Sequence, residues 1–180
     1  MSKKRLSKLD APKMLIEDEE VMDEHDFIVS KTDTKGFITY CNKIFIDMCQ
    51  YSEDELIGAN HNLIRHPDMP KIAFKLLWNL IQQKQEFFGF VKNLRKDGGY
   101  YWVYANITAS LDINENIIGY YSVRRKPSRK GLQQIIPVYQ QLLEAEKRGG
   151  MKASEEVLNS FLKSNDTSYF ELVTALQDME

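Results

Sequence analysis

Apolar and polar residues alternate with a period of two in five segments of the chain, and this pattern predicts five β-strands. The first two strands, residues 27–33 and 35–41, are joined by a glycine-containing turn, which predicts an antiparallel hairpin. The other three cover residues 87–94, 100–110 and 117–125, and the turns between them are rich in Gly, Asp and Asn. The pattern therefore predicts an α+β fold with a five-stranded antiparallel sheet and short helices on one face.

The segment between the second and third strands has the spacing of helices. Asn42 is placed to cap a helix over residues 43–49, and a second helical turn over residues 52–57 ends at Gly58. Residues 60–70 contain two prolines, each of which keeps its predecessor out of the helical region, so this part is predicted to be a stiff loop.

A longer helix is predicted after that loop. The apolar residues of Lys71–Gln83 fall on one broad side of a helix, which indicates that it lies on the core. Asp68 stands where a helix-capping side chain is expected. Such a helix would cover part of one face of the sheet.

Both ends of the chain differ in character from the middle. Residues 1–26 form a polar leader, basic and then acidic, which has room for a short helix over Lys13–Val21 but offers little to a core. Pro127 ends the last strand, and three apolar helical stripes follow it. We therefore predict a leader (1–26), an α+β domain (27–126) and a C-terminal helical extension (127–180), which either wraps the open face of the sheet or docks a partner.

Composition narrows the class of protein. The chain has 180 residues, 43% of them hydrophobic, with 24 basic and 26 acidic side chains and a net charge of −2. This balance disfavours capture of nucleic acid, which needs a dense positive face. No apolar run approaches the ~18 residues that cross a bilayer, and Cys41 and Cys49 match no disulfide or zinc pattern. A cytoplasmic location is predicted.

The sequence contains no motif of nucleophilic or phosphoryl-transfer catalysis, so the protein is predicted not to be an enzyme. His61 and His66 are five residues apart across the proline-rich loop, unlike the pair of a helical metal site, and metal binding is therefore disfavoured.

The chemistry-bearing residues gather instead around a predicted ligand pocket. Alternation places Asn93 on the same face of its strand as Gly89, and an amide there matches the uracil-like edge of a flavin, while Gly89 leaves space for a flat ring. The aromatic candidates for the pocket are Phe74, Trp78 and Phe87, and the polar candidates are Asn42, Arg65, His66, Asp68 and Asn93. Several of them also have an ordinary explanation: a solvent-facing strand end for Asn93, helix capping for Asp68, a surface loop for Arg65 and His66, and core packing for Trp78.

Three stretches of the chain carry a resemblance to a known family. They read NLIRHPDMPKIAFKLLW at residues 62–78, VKNLRKDGGYYWVYAN at 91–106 and GYYSVR at 119–124. Over about residues 26–148 the chain resembles the PAS sensor domain of bacterial aerotaxis and energy-taxis receptors. The fold implied is the PAS fold.

Members of that family bind FAD and report the cellular redox state to a chemotaxis signalling domain. The resemblance places the FAD-associated residues of the family on Asn42, Arg65, His66, Asp68, Trp78 and Asn93. Where the family commonly has a tryptophan, this chain has Phe87, which keeps an aromatic ring but loses the indole N–H.

The resemblance also suggests partners. The sequence continues into no membrane anchor, HAMP module or signalling coiled coil, so it resembles the PAS-only component of a bipartite, Cet-type energy-taxis system. The implied partner is a HAMP-containing, methyl-accepting chemotaxis transducer at the inner membrane, and a second copy of the chain is another candidate. Two other classes stay open: a haem-binding PAS gas sensor with His61 or His66 as ligand, and a cofactor-free PAS interaction module.

Overall fold

The computed structural model describes residues 5–179; residues 1–4 and 180, which include the start of the predicted leader, lie outside the described residues. Its elements follow the predicted order of two strands, short helices, a longer helix, three strands and C-terminal helices. They are β1 (Ile28–Thr32), β2 (Ile38–Cys41), α1 (Lys43–Cys49), α2 (Glu53–Leu56), α3 (Lys71–Gln82), β3 (Phe87–Leu94), β4 (Tyr100–Leu111), β5 (Ile117–Arg125), α4 (Arg129–Ser164) and α5 (Tyr169–Gln177). Short 3₁₀ turns cover Lys8–Asp10 and His61–Ile64.

The five strands form one antiparallel sheet with the spatial order β2-β1-β5-β4-β3. The last strand in sequence, β5, therefore lies in the centre between β1 and β4. Ser30 of β1 lies directly opposite Ser122 of β5 in this register. The predicted antiparallel sheet is confirmed, and its two halves, far apart in sequence, meet along β5.

One face of the sheet is covered by α1, α2 and α3. Asn42 caps α1 by accepting a hydrogen bond from the Phe45 amide at 3.2 Å, as predicted. Gly58 follows α2 with a φ of +82°, the left-handed conformation that glycine adopts without strain. Phe45 is fully buried and anchors α1 on the core, so these short helices fix the edge of the space that α3 closes.

The other face is covered by α4 and α5 over β3 and β4. Tyr139 of α4 stacks on Trp102 with ring centroids 6.4 Å apart and donates a hydrogen bond to the Phe90 carbonyl at 2.8 Å. Phe170 of α5 packs edge-on against Phe88. Of the two alternatives for the C-terminal helices, the structure thus shows packing on the sheet of the same molecule.

The leader is held against the domain from Arg5 onward. Its predicted helix over Lys13–Val21 is wrong, because the backbone there pairs with the turn after β3: the Ile16 amide donates to the Gly98 carbonyl and the Glu20 amide to the Tyr100 carbonyl. Met22 is 2% exposed, so the prediction that the leader offers little to the core is also wrong. These contacts join distant parts of the chain, which local helical spacing does not reveal.

The space beside Gly89 was predicted to receive a flat ring, and the structure fills it differently. A β-carbon added there would lie 2.6 Å from the Tyr169 hydroxyl and 2.8 Å from the ring of Phe87, because α5 reaches around the edge strand. Gly89 is therefore needed for the docking of α5, not for a cavity.

We expect Gly89→Ala to lower the free energy of unfolding by about 1–3 kcal/mol, the usual cost of overpacking a filled core. Urea unfolding followed by circular dichroism measures this change. Tyr169→Phe in the same chain removes the nearest atom and should recover part of the loss. A Gly89→Ala protein as stable as the parent would contradict this packing.

Candidate functional site

A cavity of about 350 Å³ lies between the sheet and α3, within the 300–1,000 Å³ range of small-molecule sites. Strands β1, β3, β4 and β5 supply its floor, α3 supplies its roof, and the loops after β1 and α2 supply its rim. It is lined by Ser30, Thr32, Lys35, Gly36, Asn60, His61, Asn62, Arg65, Phe74, Leu77, Trp78, Ile81, Val91, Asn93, Ala105, Ile107, Tyr120, Ser122 and Arg124.

One side of the cavity is apolar and aromatic. Trp78 of α3 meets Tyr120 of β5 edge to face, with ring centroids 5.3 Å apart, and its ring also lies against Gly36. Val91 and Ala105 present small side chains on the floor below. A wall of this kind suits a flat, apolar ring system, because rings gain dispersion energy from close, broad contact.

The opposite end of the cavity is polar and is organised by Arg124, which is 3% exposed. Its Nε donates to the Ser122 hydroxyl at 2.9 Å, and its Nη2 donates to the Ser30 hydroxyl. Its Nη1 is buried and has no hydrogen-bond partner, and among residues 5–179 no carboxylate pairs with the guanidinium. Burial lowers the pKa of Arg124 to about 10, so it is still a cation at neutral pH.

His61 completes this polar end. Its Nε2 lies 3.2 Å from both the Ser30 hydroxyl and Nη2 of Arg124, and its ring stacks on Phe45 with centroids 5.7 Å apart. Desolvation, and secondly the charge of Arg124, lower the pKa of His61 from 6.5 to about 3. The ring is therefore neutral, with Nε2 as acceptor and the proton on Nδ1, since Arg124 can only donate.

Two further polar groups border the cavity. Asn93 is 4% exposed, and its Nδ2 is buried without a hydrogen-bond partner. Arg65 lies at the rim, where its guanidinium stacks on Phe74 with 3.8 Å between the guanidinium carbon and the ring centroid. The Arg65 backbone pairs with that of Asn93, which ties the rim loop to β3. Arg124 and Asn93 both belong to the cavity lining, and each carries a buried donor atom without a hydrogen-bond partner.

Four of the eight residues predicted from the sequence line this cavity: Arg65, Phe74, Trp78 and Asn93. Asn42 lies outside the lining, and its side chain is fully engaged by α1 and by the backbone of Phe27 and Val29. Phe87 is buried beside the cavity, stacked on Tyr169 at 5.9 Å.

His66 and Asp68 point to a different place, on the side of β3 that Lys92 faces. Nζ of Lys92 lies 2.7 Å from the Asp68 carboxylate, and Nδ1 of His66 accepts a hydrogen bond from the Asp68 amide at 3.1 Å. Asp68 therefore does not cap α3 as predicted; Pro70 holds the cap position without a side-chain bond. Burial, then the charge of Lys92, lower the pKa of His66 to about 4.

Sequence reasoning missed the centre of the polar end, which consists of Ser30, His61, Ser122 and Arg124. A signal was present, because alternation puts Tyr120, Ser122 and Arg124 on one face of β5. Only the position of β5 in the middle of the sheet shows that this face is buried, and that position depends on topology.

The neutral His61 predicts a pH dependence of stability. Between pH 6.5 and about 3 the unfolded chain binds a proton at this imidazole and the folded chain does not, so stability falls as the pH falls through this window. One such group contributes at most about 1.4 kcal/mol per pH unit. We expect His61→Gln, which retains an acceptor for Arg124, to reduce the slope of the urea-unfolding free energy against pH between pH 6 and 4.5. His66, whose pKa is also lowered, contributes the slope that remains, and an unchanged slope would contradict the assignment.

The fold and the cavity together define an α+β domain with a cavity of small-molecule size between its sheet and one helix. A sequence profile of the PAS fold matches residues 17–126. The chain belongs to the PAS family. The resemblance found in the sequence and the predicted fold are thereby confirmed.

The chain is similar in sequence to parts of two longer proteins. The chain is similar to the aerotaxis receptor of Escherichia coli K12, with 37% identity over 115 residues, which is 64% of this chain and 22% of the receptor. It is 27% identical over 140 residues to the nitrogen fixation regulatory protein of Klebsiella pneumoniae, covering 78% of this chain and 26% of that protein. The chain therefore spans about a quarter of the length of these relatives.

Solved structures support the fold. The light-state structure of the blue-light photoreceptor Aureochrome1 LOV matches with a TM-score of 0.55 at 22% identity, over 63% of this chain and 90% of that one. A light-oxygen-voltage domain studied with a flavin analogue matches with a TM-score of 0.54 at 22% identity, over 64% and 86%. Among residues 5–179, no helix is long and apolar enough to cross a membrane.

Proposed function

We propose that the chain is a flavin-binding PAS redox sensor of the energy-taxis type, with FAD as its cofactor, and that it acts by conformational signalling, not by catalysis. The observation that carries the proposal is the cavity itself, in which an aromatic wall lies opposite a polar end that contains the Arg124 cation and the Asn93 amide. A pocket that is mostly apolar with a few polar groups at one end is typical of sites for flat heterocyclic ligands with acceptor atoms. The relationship to an aerotaxis receptor supports the same conclusion.

The residues present fit a flavin. The isoalloxazine ring is flat, with an apolar dimethylbenzene end and a polar edge that carries carbonyl oxygens and ring nitrogens. In this proposal Trp78 and Phe74 contact the ring, Asn93 and Arg124 donate to its acceptors, and Arg65 at the rim attracts the phosphates of FAD. When bound, the flavin supplies reversible one- and two-electron redox chemistry.

In this proposal the residues around the flavin ring determine how the protein responds when the flavin is reduced. Reduction adds charge and protons to the polar edge, where the Arg124 cation and the neutral His61 lie next to each other. A cation there favours an added negative charge, and an amide such as Asn93 exchanges donor for acceptor when a ring nitrogen gains a proton. Such a change becomes a signal when it biases the arrangement of neighbouring elements.

In this proposal another protein receives the signal. The energy-taxis relationship points to a membrane chemotaxis transducer with a HAMP module, which would keep the chain in the cytoplasm and bring it to the inner membrane. A second copy of the chain is the other candidate partner. Analytical ultracentrifugation and co-purification with the transducer separate these outcomes.

No observation favours haem over flavin. Nε2 of His61 already faces Arg124 and Ser30, so an iron there would compete with a cation. His66 lies outside the cavity lining, next to Lys92 and Tyr100.

A binding titration tests the proposal. Trp78 lines the cavity and Trp102 lies on the other face of the sheet, and they are the two tryptophans of the chain. We expect FAD to quench the fluorescence of a Trp102→Phe protein, which retains Trp78, by more than half at saturation. A Trp78→Phe protein should still bind FAD and show weaker quenching, because Trp102 lies farther from the cavity. Absence of quenching in the Trp102→Phe protein would contradict binding beneath α3.

A further inference from the structure

The C-terminal hairpin, residues 129–164 of α4, touches the helix that roofs the cavity. Helix α4 is interrupted at Gly149 and Gly150, and its two arms, 129–148 and 151–164, face each other across a groove. The first arm packs on the outer face of the sheet through Tyr139. Near the interruption the hairpin extends past the edge strand β3 and meets α3 on the cavity side.

Glu146 makes the first of two contacts there. Its carboxylate accepts a hydrogen bond from the Ile72 amide at 3.0 Å, 74 residues away in sequence. This amide belongs to the first turn of α3, where the helix provides no acceptor and Pro70 provides no side-chain cap. Glu146 therefore acts as the missing N-cap of α3, supplied by another helix.

The second contact is an ion pair between Lys75, one turn further along α3, and Glu155 of the second arm, with 2.8 Å between Nζ and Oε2. Both side chains are about 40% exposed, so this pair adds orientation more than stability. The two carboxylates lie on opposite sides of the Gly149–Gly150 interruption in sequence. The first arm therefore contacts α3 at Ile72, and the second arm contacts it at Lys75.

The Glu146 carboxylate also interacts electrostatically with the Arg65 guanidinium. Burial lowers the pKa of Arg65, and the charge of Glu146 opposes this shift. The same carboxylate thus faces the N-terminus of the roof helix and the cation at the rim of the cavity. Phe74 and Trp78, both in the cavity lining, belong to the helix that it caps.

We infer that Glu146 and Glu155 form a latch that couples the position of the cavity roof, α3, to the docking of the C-terminal hairpin. A movement of α3 changes these two contacts and so changes how firmly the hairpin is docked. Undocking of the hairpin in turn removes the cap from the first turn of α3. The latch is a property of the chain itself, and only its use by a bound flavin rests on the proposed function.

Hydrogen–deuterium exchange of the full chain, without added ligand, tests the latch. We expect Glu146→Ala to speed exchange of the amides in residues 71–76 by about three- to tenfold, because a lost cap costs about 0.5–1.5 kcal/mol. Glu144→Ala is the matched control, since the Glu144 carboxylate lies in the same arm and pairs with Lys147 of that arm. The latch is wrong if both variants exchange like the parent in this segment.

A charge swap gives a second, independent variant. Lys75→Glu alone should loosen the second arm, and Lys75→Glu with Glu155→Lys should restore parent-like exchange there. Failure of the double variant to restore it would overturn the role of this pair. The coupling to ligand is then measured by hydrogen–deuterium exchange of α3 and α4 with and without FAD. If FAD binds but exchange in α4 does not change, the latch is not used by flavin, whereas absence of binding would contradict only the proposed function.

Discussion

Replacing Arg124 with Met is expected to weaken FAD binding by about 10- to 100-fold and to leave the free energy of unfolding within about 1 kcal/mol of the parent value. Hydrogen bonds from a charged donor contribute about 1.5–3 kcal/mol, and each 1.4 kcal/mol corresponds to a factor of ten in affinity. The Arg124 guanidinium belongs to the lining of a cavity whose described lining contains no carboxylate, and its Nη1 has no hydrogen-bond partner.

The free energy of unfolding is expected to change little in this variant, because Arg124 is a buried charge without a carboxylate partner among the described residues. Taking such a cation out of water is costly, and Met removes that cost while it fills a similar volume. The loss of hydrogen bonds to Ser30 and Ser122 acts in the opposite direction. The two effects are of similar size and opposite sign, so ligand affinity and stability should separate.

Arg125→Met is the matched control for this experiment. Arg125 is the next residue of β5, exposed on the opposite face, where its guanidinium lies 5.4 Å from the ring centroid of Tyr104. Isothermal titration with FAD should give parent-like affinity for this control. If both variants lose affinity equally, or if Arg124→Met retains it, then Arg124 does not hold the ligand.

Filling the cavity is expected to have an even larger effect on binding. Ala105 is 1% exposed and lies on the cavity floor, so Ala105→Phe places a ring where the ligand would lie. We expect FAD affinity to fall by at least ~100-fold, since a close-packed site does not admit two rings. The free energy of unfolding should change by less than about 3 kcal/mol, because the added ring occupies existing space.

Thr108→Phe provides the comparison, because Thr108 belongs to the same strand but to its other face. This variant adds a ring without reducing the cavity, so its FAD affinity should match that of the parent. An Ala105→Phe protein that binds FAD normally would show that the ligand lies elsewhere.

The strands and helices were predictable because their signals are local. The bounds of β3 and β5 agree with the prediction, and those of β4 and α3 to within one residue, since alternation, helical spacing and turn residues all operate within a few positions. Arg65 and Asn93 were predictable as cavity-lining residues for a similar reason: they lie within the two stretches, 62–78 and 91–106, that carry the family resemblance.

The polar end of the cavity could not be predicted in the same way. Ser30 and Arg124 are 94 residues apart, and they meet because the last strand inserts between the first and fourth. The leader was mispredicted for a related reason, since its backbone pairs with Tyr100, and the capping of α3 by Glu146 spans 74 residues. Contacts of this range are set by topology, which no local pattern encodes.

The central claim is that the cavity beneath α3 holds a flavin, and the visible absorption spectrum of the purified full chain tests it most directly. We predict the two-banded spectrum of a bound flavin, with about one FAD per chain after release by denaturation, since the cavity is of a size for one ligand. A colourless protein that takes up no FAD on incubation with excess cofactor would contradict the claim, and so would a single intense Soret band.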